Sequence, residues 1–438
     1  MMARLLSVGA LVALALAGPV ATGRAQTDTG TTSFDVNGVK VILRRNTAND
    51  VIAANVYLLG GTQQLSPATQ GIEVMLLRAS ERGTKRYPGE KVRQALVRTG
   101  CSIGIAPSED WTVFGTTCIR ATFDSTWNVL ANRLMEPTLD SSEVELVRER
   151  MLTSVREASS APDPLLNRLA DSLEYVNQPY GFDPNGTESS LQSITLGQLR
   201  RYQETQMVGS RMLVVVVGNV ERARVEDLVR QTLGRVPRGS YGWTAPGATR
   251  STGRALLTRA MPLPTNYLLG YYPGPAASNP DYQALRIACA VLSGRFFTEI
   301  RSRRNLSYEV DAPFLERAVA SGGVYVTTVD PTATLKLMRD EINRLQRELL
   351  DRDGLERLVQ QFITEYFLRN ETNGDQATFL ARAQIYQGDF RLASHFVDDL
   401  RRVQPEDVRR VSNTYMHDFR FVYLGKLDAL PRDLLAQF

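Results

Sequence analysis

Most protein metal sites and acid–base relays are built around histidine, and this chain of 438 residues has two, His395 and His417. They stand 22 positions apart, so no short run offers two imidazoles to one ion. Three cysteines complete the soft ligands and nucleophiles. Cys101-Ser-Ile-Gly-Ile and Thr112-Val-Phe-Gly-Thr-Thr-Cys118 read as β runs flanking the turn chemistry of Pro107-Ser108-Glu109-Asp110. An antiparallel hairpin centred there sets Cys101 opposite Cys118. Two outcomes stay open: a disulfide, contributing about 3 kcal/mol on chain-entropy grounds, or two buried thiols, because a register slip of one residue sends the side chains to opposite faces. Cys289 lies in an apolar helical run and reads as a small core residue.

The elements that must position these residues belong to a globular chain. At 43% hydrophobic and 22% charged, the composition excludes disorder and collagen-like repeats. Lys+Arg 51 against Asp+Glu 47 leaves a formal charge of +4, too balanced for a surface that tracks a phosphate backbone, so no nucleic-acid partner is expected. Arg4, the apolar run Leu5 to Ala17 and the small residues around Gly23-Arg24-Ala25 predict a secretory signal peptide over 1–25, hence export to the periplasm or beyond. The run is too short to cross a bilayer, which takes about 20 residues. No long amphipathic or polybasic stretch predicts membrane contact. Removing Arg4 and Arg24 brings the formal charge from +4 to +2.

Self-similarity organises the rest. Asn55-Val-Tyr-Leu-Leu-Gly60 is echoed by Asn266-Tyr-Leu-Leu-Gly270, and Leu139-Asp-Ser-Ser-Glu-Val-Glu-Leu-Val147 by Leu350-Asp-Arg-Asp-Gly-Leu-Glu-Arg-Leu-Val359. Ile194-Thr-Leu-Gly-Gln-Leu-Arg-Arg201 before Met212 to Gly218 is echoed by Val403-Gln-Pro-Glu-Asp-Val-Arg-Arg410 before Phe421 to Gly425. Three echoes in one order at one spacing make two copies of one fold, 33–238 and 253–438, joined by a Gly-, Ser- and Pro-rich linker over 239–252 that reads as exposed and able to hinge. Strand runs with helices gathered elsewhere predict an α+β fold, each copy a mostly antiparallel sheet with helices on one face, the pair enclosing a central cavity.

A strand ending in Leu59-Gly60-Gly61, Gly71 opening a helix that runs to Arg82-Gly83-Thr84-Lys85-Arg86-Tyr87-Pro88, then Pro179-Tyr-Gly181, Gly186-Thr-Glu188 to Ile194-Thr195 and the Val214 to Gly218 strand together resemble the insulinase/pitrilysin family of zinc peptidases, in particular its short bacterial, processing-peptidase-like members. The family's first helix carries His-x-x-Glu-His, two imidazoles sharing a helix face for zinc and a Glu reaching its water. Counting back from Gly83-Thr84, those positions are Val74, Leu77 and Arg78. Valine and leucine offer no lone pair, and arginine sets a permanent cation where the ion would sit, so no metal is expected here. Glu149 or Glu157 would stand near the family's third ligand, without effect once the imidazoles are gone.

The resemblance further implies that Arg301 and Tyr308, in Phe296-Phe-Thr-Glu-Ile-Arg301-Ser-Arg-Arg-Asn-Leu-Ser-Tyr308, are the family's Arg/Tyr pair, which binds substrate backbone and the tetrahedral oxyanion. Asn305 replaces a usual Gly, a turn position where Asn tolerates positive φ. The plainer reading makes Arg295, Arg301, Arg303 and Arg304 a solvated basic helix end. A lost metal motif beside a kept Arg/Tyr pair predicts a zinc-less subunit of an exported heterodimeric peptidase. It would have no cofactor of its own, a homologous zinc-carrying partner, and unstructured peptides as substrates. The alternative is an inert scaffold or peptide-binding protein of the same descent, like the family's core subunits in respiratory complexes.

Overall fold

The computed structural model describes residues 30–247 and 253–438; the segment 1–25 expected to be a signal peptide and linker residues 248–252 lie outside the described residues. The first sheet is built from β1 (Thr31–Val36), β2 (Val39–Arg45), β3 (Val51–Leu59), β4 (Ile103–Pro107), β5 (Trp111–Ile119) and β6 (Met212–Gly218), in the order β1-β2-β6-β3-β5-β4. The second takes β7 (Ala255–Ala260), β8 (Asn266–Ala276), β9 (Ser307–Asp311), β10 (Phe314–Leu315), β11 (Val319–Thr328) and β12 (Arg420–Gly425), in the order β10-β11-β8-β12-β7 with β9 also on β11. Each sheet is antiparallel except for one parallel pair, β2 with β6 and β12 with β7. These pairs occupy equivalent places, so the two sheets repeat one topology.

The sequence of β6 shows why each sheet needs cover on both sides. Met-Leu-Val-Val-Val-Val-Gly has no alternation, and all seven residues are buried, as in strands covered on both faces. Val214 and Val216 face the main core, with α1 (Ile72–Ala79), α2 (Lys91–Thr99), α3 (Phe123–Met135) and α4 (Ser141–Ser160). Leu213, Val215 and Val217 face the other way, against Ala377, Leu380, Ala381 and Ile385 of the helix Asn373–Gln387, which belongs to the second half of the chain. The exchange is reciprocal. From the first half, α5 (Pro162–Glu174) lays Leu165, Leu166 and Ala170 on Leu269, Tyr271, Val422 and Leu424 of the second sheet. Each fully buried leucine in these seams contributes about 1.5–3 kcal/mol. Helices do gather on one face of each sheet, as expected, and the facing sides are covered by one exchanged helix each.

Polar contacts lock the halves together. Arg317 Nη1 and Nη2 donate to the two Asp171 carboxylate oxygens at 2.9 and 3.0 Å, and Nη2 also to Glu109 at 3.0 Å. The Asp110 carboxylate accepts the Tyr180 hydroxyl at 2.5 Å, the Tyr386 hydroxyl at 2.8 Å and the Ala318 N–H at 2.9 Å. The described part of the linker is not wholly loose: Trp243 packs against the exchanged-helix seam, its ring 6.3 Å from that of Tyr386.

Candidate functional site

Gly71, at φ +85, turns the chain into α1; a Cβ there would lie 2.9 Å from the Asn185 carbonyl oxygen, so only glycine fits. Val74 and Leu77 follow, each 1% exposed in the core, while Arg78 is exposed beside a cavity of about 300 Å3. Arg78 shares that cavity with Ser154 and Val155 of α4, Arg168 of α5, and the Asp183 and Asn185 loop. Glu149 and Glu157 are exposed on α4 and do not line it; from α4 the exposed Ser154 does. His395 ends the short helix Phe390–His395. His417 is exposed, its ring nitrogens 3.0 Å from Asp418 Oδ2 and 2.9 Å from the Thr414 carbonyl oxygen. Neither imidazole lines the cavity. The donor set around α1 does not fit zinc: its charge is cationic, and among the described residues no three His, Cys, Asp or Glu side chains converge.

Sequence reasoning missed the group that anchors α1. Glu73, one residue before the first metal-motif position, is buried, with its carboxylate 2.6 Å from Arg211 Nη2 and accepting the Tyr202 hydroxyl at 2.9 Å. Arg211 Nε donates to the Leu59 carbonyl at 2.7 Å, tying α1 to β3 and to the entry of β6. Burial opposes the Arg211 charge, and Glu73 more than restores it.

The Arg/Tyr pair belongs to the second half of the chain. The helix Asp281–Phe296 continues as a wider π turn over Phe297–Ser302, and Asn305 follows at φ +50, the left-handed conformation for which Asn is suited. The Arg301 guanidinium carbon lies 5.1 Å from the Phe297 ring centre and 4.7 Å from that of Tyr308. Tyr308 is 81% and Phe297 48% exposed. The neighbouring arginines are engaged otherwise: Arg303 and Arg304 both pair with Glu299, and Arg295 approaches Glu341 at 3.8 Å. Arg303 and Arg304 stay exposed, as a solvated helix end would, while Arg301 differs in lying against two aromatic rings. The Arg301 guanidinium is held over them by cation–π attraction and makes no hydrogen bond among the described residues. Phe297 was legible as the residue one helical turn before Arg301.

Cys101 and Cys118 are both free thiols, so the disulfide of the two sequence alternatives is not what this structure has. The hairpin register pairs Ile103 with Thr116 and Pro107 with Thr112. Cys101 lies just before β4, with its thiol 3.2 Å from the Thr99 carbonyl oxygen.

Two family models match the chain: Insulinase (Peptidase family M16) over residues 40–183 and Peptidase M16 inactive domain over residues 193–362. The chain belongs to the insulinase family. Within it, the chain is 20% identical over 415 residues to the uncharacterized zinc protease YmxG of Bacillus subtilis (strain 168), covering 90% of this chain and 98% of that protein. It is 22% identical over 413 residues to the mitochondrial-processing peptidase subunit beta of Blastocladiella emersonii, covering 90% and 88%. A peptidase M16 inactive domain from Pseudomonas fluorescens shares the fold, with a TM-score of 0.83 at 17% identity over 90% of this chain and 98% of that one. In this insulinase-family chain the helix α1 carries Val74, Leu77 and Arg78 where the resemblance expects the metal motif, and the second half carries the stacked Arg301 and Tyr308.

Proposed function

We propose that this chain is the zinc-less subunit of an exported heterodimeric peptidase, presenting Arg301 and Tyr308 to a metal site on a homologous partner and helping to enclose unstructured peptides. The observation that carries the reading is the contrast between two sites. Val74 and Leu77 have been absorbed into the core, whereas Arg301 is held between Phe297 and a Tyr308 ring that is 81% exposed. A large aromatic ring so open to water suits a surface that another chain covers. Family relatives whose names mark them as subunits, such as the mitochondrial-processing peptidase subunit beta, support an assembly of unlike chains. In that assembly zinc belongs to the partner. This chain's guanidinium and phenol donate hydrogen bonds to the substrate carbonyl oxygen as it gains charge, where one preorganised donor is worth about 2.7–4 kcal/mol of barrier.

The test is reconstitution. The mature chain alone is expected to bind no stoichiometric zinc and to cleave no peptide. Mixed with a chain carrying an intact His-x-x-Glu-His motif it yields turnover, and Arg301→Ala lowers kcat by at least about tenfold. Undiminished turnover with Arg301→Ala and Tyr308→Phe combined would defeat the reading, as would intrinsic zinc in the lone chain. Export is checked separately, by sequencing the N-terminus of the protein recovered from its producing cell, with cleavage expected near Ala25.

A further inference from the structure

The family's metal position has become the mouth of a different kind of site. The cavity of about 300 Å3 beside α1 is lined by two guanidinium groups from separate elements, Arg78 of α1 and Arg168 of α5. Arg78 is exposed and makes no hydrogen bond or ion pair among the described residues. Arg168 Nη2 donates to Ser159 Oγ at 3.2 Å, which fixes its fork at the cavity wall. One carboxylate shares the lining, Asp183. Its Oδ1 already accepts the Asn185 N–H at 2.8 Å, and burial raises its pKa, with Arg168 acting in the opposite direction. Two fixed cations against at most one anion leave the cavity net positive. The hydroxyl of Ser154 adds a neutral donor, and Val155, Ala158 and Pro164 supply an apolar wall.

Paired guanidinium forks match the two oxygens of a carboxylate, and a metal cation is repelled by the same charges. A volume at the low end of ligand pockets holds one terminal residue with its carboxylate. We propose that this cavity binds the C-terminal carboxylate of a peptide through Arg78 and Arg168, with the last side chain against Val155, Ala158 and Pro164. The vestigial zinc site is then an anchor for chain ends. The inference needs neither a metal nor a partner and stands independently of the role given to Arg301.

The experiment is fluorescence anisotropy with the mature chain alone and a short unstructured peptide ending in leucine, labelled at its N-terminus. Two companions are the same peptide amidated at its C-terminus and the amidated peptide carrying one internal glutamate. Amidation is expected to weaken binding at least about tenfold, as loss of a charge-assisted hydrogen bond does. Arg78→Gln and Arg168→Gln each weaken the free-acid peptide to a similar degree while the thermal midpoint of Arg78→Gln is unchanged, since that side chain is exposed and unpaired. The proposal is overturned if the free-acid peptide does not bind, if the amidated peptide binds equally well, or if Arg78→Gln binds as the parent does. Restoration of full affinity by the internal glutamate overturns the chain-end assignment as well, placing recognition on any peptide carboxylate.

Discussion

Arg211 Nη2 lies 2.6 Å from the Glu73 carboxylate, with both side chains buried, at the point where α1 meets the edge of β6. Among the described residues neither charge has another ion-pair partner, so each is neutralised by the other, with the Tyr202 hydroxyl and the Leu59 carbonyl adding a hydrogen bond to each. Glu73→Ala leaves a guanidinium buried and uncompensated and is expected to cost about 3–5 kcal/mol in urea unfolding, whereas replacing the pair by well-packed apolar residues recovers most of it. A loss below about 1 kcal/mol for Glu73→Ala would show that water reaches Arg211 and that the pair does not anchor the helix.

Arg317 plays a comparable part between the halves. It comes from the turn before β11 and holds Asp171 of α5 and Glu109 of the β4–β5 turn. Burial works against the Arg317 charge, and Asp171, then Glu109, more than restore it. Arg317→Gln therefore strands two carboxylates of the first half without their cation. The expected result is a loss of about 3 kcal/mol or more in denaturant unfolding, together with faster proteolytic cleavage within 239–252 as the halves separate more often. Unchanged midpoint and unchanged cleavage would assign the docking to the apolar seams alone.

The repeat was legible because strands that occupy equivalent places in two sheets need the same run of residues: Met212 to Gly218 and Phe421 to Gly425 are central in their sheets, and both read as unbroken apolar runs. That Val74 and Leu77 point into the core was legible because a helix fixes which positions share a face. The exchange of helices was not. Leu165, Leu166 and Ala170 form an apolar stripe that reads the same whichever sheet it covers. Glu73 with Arg211 escaped for a related reason, since 138 positions separate them and pairing at that range leaves no periodic signal. The cavity lined by Arg78 and Arg168 escaped because α1, α4 and α5 meet only in three dimensions.

The cysteine hairpin gives a chemical prediction. Burial, and secondarily the neighbouring Cys101, push the Cys118 thiol up to about 12, and burial pushes Cys289 up to about 12 as well. The thiolate is the reactive form, so near neutral pH a thiol reagent is expected to label the half-buried Cys101 well before the other two, which react only after denaturation. Mass spectrometry of timed native labelling reads the order. Labelling of Cys118 as fast as Cys101 would mean that the end of β5 opens to solvent, and a mass two hydrogens short would mean that the pair is bridged in the isolated protein.

Glu174, the last residue of α5, supplies the pH dependence. Its carboxylate is buried with neither oxygen hydrogen-bonded, and Arg420 stands off at 4.0 Å while donating instead to the Leu173 carbonyl at 2.9 Å. Burial raises this acid from 4.5 to about 7, with Arg420 lowering it and Asp171 raising it in smaller measure. The folded chain therefore holds a proton here that the unfolded chain has released. Stability from this group is full below about pH 4.5, falls as pH rises towards 7, and stays reduced above it, by roughly 3 kcal/mol in total. Glu174→Gln, neutral at every pH, should raise the urea midpoint at about pH 8 and flatten its decline between about pH 5 and 8. Because Glu174 and Arg420 belong to different halves, the same substitution should also slow cleavage within 239–252 at the higher pH. A variant whose midpoint declines with pH as steeply as the parent's would place the titrating group elsewhere in the interface, at Asp171 or Asp110, both of which burial also raises.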